Sequence, residues 1–321
     1  MPIIENTTYN PSWLFKNKHF NTAFRTLFSD QSVSYKRERI ELIDGDFIDL
    51  DVSTVNSDKV VIAIHGLEGS SKSSYILSLT NVLNHHGYDV VAINLRGCSG
   101  EQNRLISSYH SGKTDDLDNV IQHIDNQYNY KEFNVVGYSL GGNLTLKYMG
   151  EEKVFSKVKT AVGVSVPCSL KDSSMQMNLL SNRIYLNRFL ETLEKKTLEK
   201  LEKFPDSFLS KASIKSIKNF KDFDDVYTAP AHGFLDAEDY YKKSSSKSYL
   251  PKIKTPTLLI TSLDDPFYSN ASYPFDEAKS NEYFFMEATK YGGHVGFGNY
   301  LNSTLNTWCE YRILSFLTHQ K

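Results

Sequence analysis

The chain has 321 residues, is 40% hydrophobic and carries a net charge of −2. That is enough apolar material for one large domain or two small ones, and the balance of charge gives no strong pull toward nucleic acid or an anionic membrane. No apolar run approaches the ~18–20 residues of a membrane helix, no secretory signal opens the chain, and three cysteines (Cys98, Cys168, Cys309) fit neither a disulfide framework nor a zinc site.

Taken in order, Tyr35–Leu42 and Phe47–Val52 flank Asp44-Gly45-Asp46 and predict a β-hairpin. Val60–His65 is a continuous apolar run, as a strand buried on both faces requires. Ser71–His86 reads as a helix with Leu77, Leu79, Val82 and Leu83 inward and Gly87 as its stop. Asp89–Leu95 is the next strand, and a helix opens at Thr114, a candidate N-cap followed by acids that complement the dipole. Further strands are expected over Lys131–Val136, Val158–Val166, Thr255–Ile260 and Tyr283–Met286, with a helix over residues 142–149 and a closing helix over Thr307–Leu317. Strands alternating with helices predict an α/β fold with a mostly parallel sheet covered on both faces. Residues 167–250 break the alternation. Leu179–Leu201 is helical in pattern and Phe204–Phe220 continues in that style, so this stretch is expected to be a helical insertion. It is either a lid over a site or a solvated appendage, and its Lys/Glu stripes read as water-facing surfaces.

One motif names a chemistry. Gly137-Tyr138-Ser139-Leu140-Gly141 follows a β-prone run and precedes a helical one. That is the strand–turn–helix setting of the G-x-S-x-G nucleophile elbow, which exposes the serine Oγ at the sheet edge. An activated serine needs a base, and the base needs an orienter. In this arrangement the acid and then the histidine follow the serine in the chain. Asp264 and Asp265 both lie just past the strand Pro256–Ile260; Asp265, directly before Pro266, is favoured. His294 sits in Gly292-Gly293-His294-Val295-Gly296 after the last strand, where an imidazole can reach over the sheet edge. The oxyanion donors are expected to be the backbone N–H groups of Leu140 and of Leu67, the latter within His65-Gly66-Leu67-Glu68-Gly69. No H-E-x-x-H, clustered Cys/His or G-x-G-x-x-G after a strand is present, so neither a metal nor a dinucleotide cofactor is implied.

These segments resemble the α/β-hydrolase superfamily and, within it, the YheT-like (AB hydrolase 4) family. The likeness is carried by Asn17-Lys18-His19-Phe20-Asn21-Thr22, His65–Gly69, Asn94-Leu95-Arg96-Gly97-Cys98, Tyr109–Leu117 and the elbow. It continues through Ala229–Phe234, Asp239-Tyr240-Tyr241, Asp264-Asp265-Pro266-Phe267 and Gly293–Gly296, so that it runs from about residue 10 to 300. The first stretch departs from the family's His-Leu-Gln-Thr at Phe20 and Asn21, a change expected to alter the pocket wall. The resemblance implies one α/β-hydrolase domain over residues 1–321 with a lid over about 167–250. It also implies a Ser139–Asp265–His294 hydrolase acting on carboxylic esters of short- to medium-chain acyl groups. A small-molecule ester is the implied partner; charge, hydropathy and motifs already argue against nucleic acid, an integral membrane segment and a cofactor, and the three scattered cysteines suit a reducing cytoplasm. Acyl transfer to an alcohol through the same acyl-enzyme is the alternative. A non-catalytic binding protein on a vestigial fold is the third reading.

Overall fold

The computed structural model describes residues 2–28, 31–301 and 304–319. Eight strands form one sheet: β1 (Lys36–Glu41), β2 (Phe47–Ser53), β3 (Lys59–Ile64), β4 (Asp89–Asn94), β5 (Glu132–Tyr138), β6 (Val158–Val164), β7 (Thr257–Ser262) and β8 (Phe284–Thr289). Their order across the sheet is β1-β2-β4-β3-β5-β6-β7-β8. The β1–β2 and β2–β4 pairs are antiparallel and the remaining pairs parallel.

β3 shows why the sheet is buried on both faces. Val60, Ile62 and Ile64 pack into one core, which includes Leu117, Val120 and Ile124, while Val61 and Ala63 alternate into a second, with Ile76, Leu79 and Ile313. Helices supply the cover: α1 (Lys18–Phe28), α2 (Ser74–His85), α3 (Thr114–Gln127) and α4 (Leu140–Met149), with Trp308–His319 closing the chain. In α2 the buried stripe is Ile76, Leu79, Thr80 and Leu83, so Leu79 and Leu83 face inward as expected, whereas Leu77 and Val82 flank the stripe and are only half-buried. Thr114 is not a cap. Lys113 occupies that position, and the Thr114 hydroxyl, inside the helix, donates to Glu151 at 3.0 Å.

The strand order reverses at β3: β4 lies on one side of it and β5 on the other. The loops after β3 and β5 therefore diverge, and such a divergence opens a crevice at the carboxyl ends of the strands. Both candidate oxyanion donors, Leu67 and Leu140, lie just past those ends.

The turn from β5 into α4 depends on two close approaches. A Cβ on Gly137 would lie 2.2 Å from the Gly141 carbonyl oxygen, and one on Gly141 would lie 2.5 Å from the His65 carbonyl oxygen. Backbone cannot yield as a flexible side-chain end does. Gly137→Ala is expected to cost at least about 1–3 kcal/mol, the usual penalty of overpacking. Urea denaturation checks this, and an unchanged midpoint would contradict it.

Residues 167–250 are helical, as expected, but more broken than the pattern suggested. α5 (Leu170–Met177) and α6 (Arg183–Lys203) are followed by a non-helical stretch over 204–210 and only a five-residue helix, Lys211–Lys215. Leu193, Leu209, Ile214, Phe223 and Tyr227 give the insertion a small core of its own, against which Leu67 of the β3 loop packs. The closing helix begins at Trp308; Thr307 belongs to the short strand Thr304–Thr307, which pairs with Gly298–Leu301. No helix of the described residues is long and apolar enough to cross a membrane.

Candidate active site

Ser139 stands between β5 and α4 with φ 52° and ψ −117°. That region is sparsely populated for a residue with a Cβ, and holding it there costs on the order of 1–3 kcal/mol. The strain has a structural consequence: the side chain is lifted out of the strand's alternation and onto the crevice. His294, in the loop after β8, brings Nε2 to 2.9 Å from Ser139 Oγ. Its other ring nitrogen, Nδ1, is 2.9 Å from Asp265 Oδ2 in the loop after β7. An ionised carboxylate only accepts, so Nδ1 carries the proton and Nε2 is left to accept from the serine hydroxyl.

The two aspartates separate by partner. Asp265 is buried; besides His294 it accepts from the Phe267 N–H at 2.9 Å, so its carboxylate is aimed from both oxygens. Asp264 instead accepts from the Gly293 N–H at 2.9 Å, and burial raises its pKa above the usual carboxylate value. It braces the histidine loop from behind. Other braces come from side chains to which no motif assigns a role. The His294 N–H donates to Thr22 Oγ1 on α1 at 2.9 Å, the Val295 N–H to Ser165 Oγ at 2.9 Å, and Arg25 Nε to the Gly296 carbonyl at 2.9 Å. The stretch Asn17–Thr22, to which Thr22 belongs, has one signal in the sequence, its likeness to the family. Its Phe20 and Asn21 do not line the pocket: Phe20 packs on Phe15, and Asn21 bonds Tyr9 and the Phe15 carbonyl.

The β3 loop spends its backbone donors unevenly. The Gly66 N–H donates to Tyr75 Oη at 3.0 Å, the Glu68 N–H to Tyr109 Oη at 2.9 Å, and the Gly69 N–H to the Gly66 carbonyl at 3.0 Å. Leu67 is the residue of this run whose N–H has no acceptor among the described residues. Leu140 is the first residue of α4, where helix geometry supplies no acceptor one turn earlier. Both line the same cleft as Ser139. His65, buried, fixes the base of this loop: Nδ1 donates to the Gly66 carbonyl at 2.7 Å and Nε2 accepts from the Leu95 N–H at 3.1 Å. Burial pushes its pKa down to about 4. A histidine whose folded pKa is depressed contributes stability above its unfolded value near 6.5 and loses it as pH falls toward 4. Urea midpoints measured between pH 7 and 4.5 are expected to fall less steeply in His65→Gln than in the unmodified chain. Parallel curves would contradict this assignment.

The cleft encloses ≈ 1160 Å³ counted to its open mouth. Its walls come from both parts of the chain: Leu67, Ser139 and Phe267 from the sheet edge, and Leu170, Met177, Phe189, Leu193, Phe220 and Tyr227 from the insertion. Polar groups also turn inward here, against the expectation of a uniformly water-facing charge stripe. Lys196 Nζ lies 2.9 Å from Glu68 Oε2, and buried Lys200 donates to Asn103 Oδ1 at 2.7 Å and to the Leu105 carbonyl; burial lowers the Lys200 pKa to about 8. Asp224, held by Thr228 and Tyr241, is pushed up to about 7 by burial. Glu191, Lys195, Glu199 and Glu202 do face water.

A model of the α/β-hydrolase fold matches residues 59–298. The chain is 35% identical over 312 residues to YheT of Escherichia coli, covering 95% of this chain and 91% of the relative. It is 28% identical over 305 residues to human phospholipase ABHD3, covering 92% of this chain and 75% of that one. Among solved structures, an esterase of Pyrococcus furiosus superposes with a TM-score of 0.58 at 17% identity, covering 88% of this chain and 90% of that one, a likeness of fold alone. With a serine on a strained elbow, a sheet that reverses its order beside it and these matches over most of its length, the chain belongs to the α/β-hydrolase family, in its YheT-like group.

Proposed function

We propose that the protein is a serine esterase that cleaves carboxylic esters of short- to medium-chain acids through an acyl-enzyme. The observation that carries this reading is the position of one imidazole, 2.9 Å from both the Asp265 carboxylate and the hydroxyl of Ser139, which itself lines an apolar cleft. His294 Nε2 takes the Ser139 proton as Oγ attacks the acyl carbon. The carbonyl π electrons move onto oxygen, and the Leu67 and Leu140 N–H groups receive that charge. The intermediate collapses as His294 returns the proton to the departing alcohol. Water, deprotonated by His294, then attacks the acyl-serine; as the bond from the acyl carbon to Oγ breaks and the acid departs, His294 returns that proton to Ser139 Oγ. Asp265 holds the imidazole in the reactive tautomer and stabilises its cationic form.

The insertion acts as a lid in this reading. Its apolar wall of Leu170, Met177, Phe189, Leu193 and Phe220 suits an acyl chain, with the ester at the Ser139 end. A p-nitrophenyl ester series of increasing acyl length tests the substrate class. kcat/KM is expected to rise from acetate to a short- or medium-chain optimum and then fall; a rate that keeps rising to long chains would contradict the size assigned. The same assay with ethanol present separates hydrolysis from acyl transfer, and free acid is expected as the main product.

A further inference from the structure

The net charge of −2 hides a local segregation. Residues 6–28 and 173–190 contain no Asp or Glu, in a chain that has 38. Apart from Arg25, which is buried against Glu310, these segments carry Lys16, Lys18, Arg183 and Arg188, and none of the four makes an ion pair among the described residues. Arg183 opens α6 with no acid in the first turn, a placement the helix dipole disfavours. The same two segments expose large apolar side chains. Trp13 is 81% exposed, Leu180 90% and Ile184 81%, with Met175 and Leu179 beside the latter two. The segments meet: the His19 ring stacks on Tyr185 with centroids 5.9 Å apart, and His19 Nδ1 lies 3.3 Å from Tyr185 Oη.

This face is one layer from the reactive histidine. Asn182 Nδ2 donates to the Pro266 carbonyl at 2.6 Å, Tyr185 packs on Phe267 at 5.1 Å, and Phe267 packs on His294 at 4.2 Å. Met177, between the exposed residues Met175 and Leu179, lines the cleft. We infer that the face formed by the α5–α6 corner and the segment leading into α1 docks on an anionic lipid surface. Apolar side chains with a tryptophan enter the interface, and the basic side chains beside them meet lipid phosphates. Pairing with a second copy is disfavoured, because it would set four cations that lack an acidic partner among the described residues against four others. Delivery of ester to the cleft from that surface rests on the esterase reading; the docking itself does not.

The test uses the full chain and vesicles of phosphatidylcholine with or without phosphatidylglycerol. Sedimentation with the anionic vesicles is expected, with little on neutral ones, and added salt should weaken it. Arg183→Gln/Arg188→Gln is expected to bind roughly thirtyfold more weakly, at about 1 kcal/mol per charge. Trp13→Ser/Leu180→Ser/Ile184→Ser should lose binding as well, and both variants should hydrolyse a soluble short-chain ester at the unmodified rate. Ser139→Ala should bind vesicles fully, which separates failure of docking from failure of the esterase reading. Equal binding to neutral vesicles, no binding, or a dimer in sedimentation velocity that the serine variant dissolves would each overturn the proposal.

Discussion

Ester turnover is expected to fall roughly 10⁴- to 10⁶-fold in Ser139→Ala, the range seen when the nucleophile of such a constellation is removed. Alanine takes away the hydroxyl that His294 faces at 2.9 Å and keeps the Cβ, so the fold should hold with its midpoint little changed. Ser139→Gly makes the companion measurement. Glycine relaxes the backbone at φ 52° and should raise stability by about 1–3 kcal/mol while losing activity equally. The pair separates chemistry from folding. An inactive alanine variant that also unfolds would leave a structural explanation, whereas inactivity with a stabilised glycine variant would not.

The second large effect distinguishes neighbouring carboxylates. Asp265→Asn is expected to lower kcat about 10⁴-fold, because an amide can present its N–H₂ to His294 Nδ1 and favour the wrong tautomer. Asp264→Asn keeps an oxygen for the Gly293 N–H and should cost no more than about tenfold, the scale of one weakened brace. Rates of the two variants, each compared with the unmodified chain on one soluble ester, check this. A larger loss at Asp264 than at Asp265 would reverse the assignment.

The sheet and the serine were legible because each is written locally. Val60–Ile64 alternates no polar residue into a run that must be buried on both faces, and the glycines of the elbow stand where the backbone passes within 2.2–2.5 Å of a would-be Cβ. Which aspartate meets the histidine was not written locally. Asp264 and Asp265 are adjacent, and only the path of the loop after β7 decides which carboxylate points to His294 and which to the Gly293 amide. Thr22 stands in a family-like stretch, but its role was hidden for a similar reason. It serves His294 from 272 positions away, and a threonine on a helix has no periodic or charge signal. Lys196 and Lys200 read as surface because Lys/Glu-rich helices generally are. They turn inward because the β3 loop and Asn103 offer acceptors that the helix pattern cannot reveal. Thr114 followed the preference of threonine for caps, yet Lys113 takes the cap and Thr114 spends its hydroxyl on Glu151.

The central claim is that Ser139 is a nucleophile activated by folding. The most direct measurement is labelling of the folded protein with a fluorophosphonate, followed by peptide mass spectrometry. A single adduct on Ser139 is expected, lost on unfolding in urea and strongly slowed in His294→Ala. An unmodified Ser139 in folded protein, or labelling that proceeds equally after unfolding, would contradict the claim.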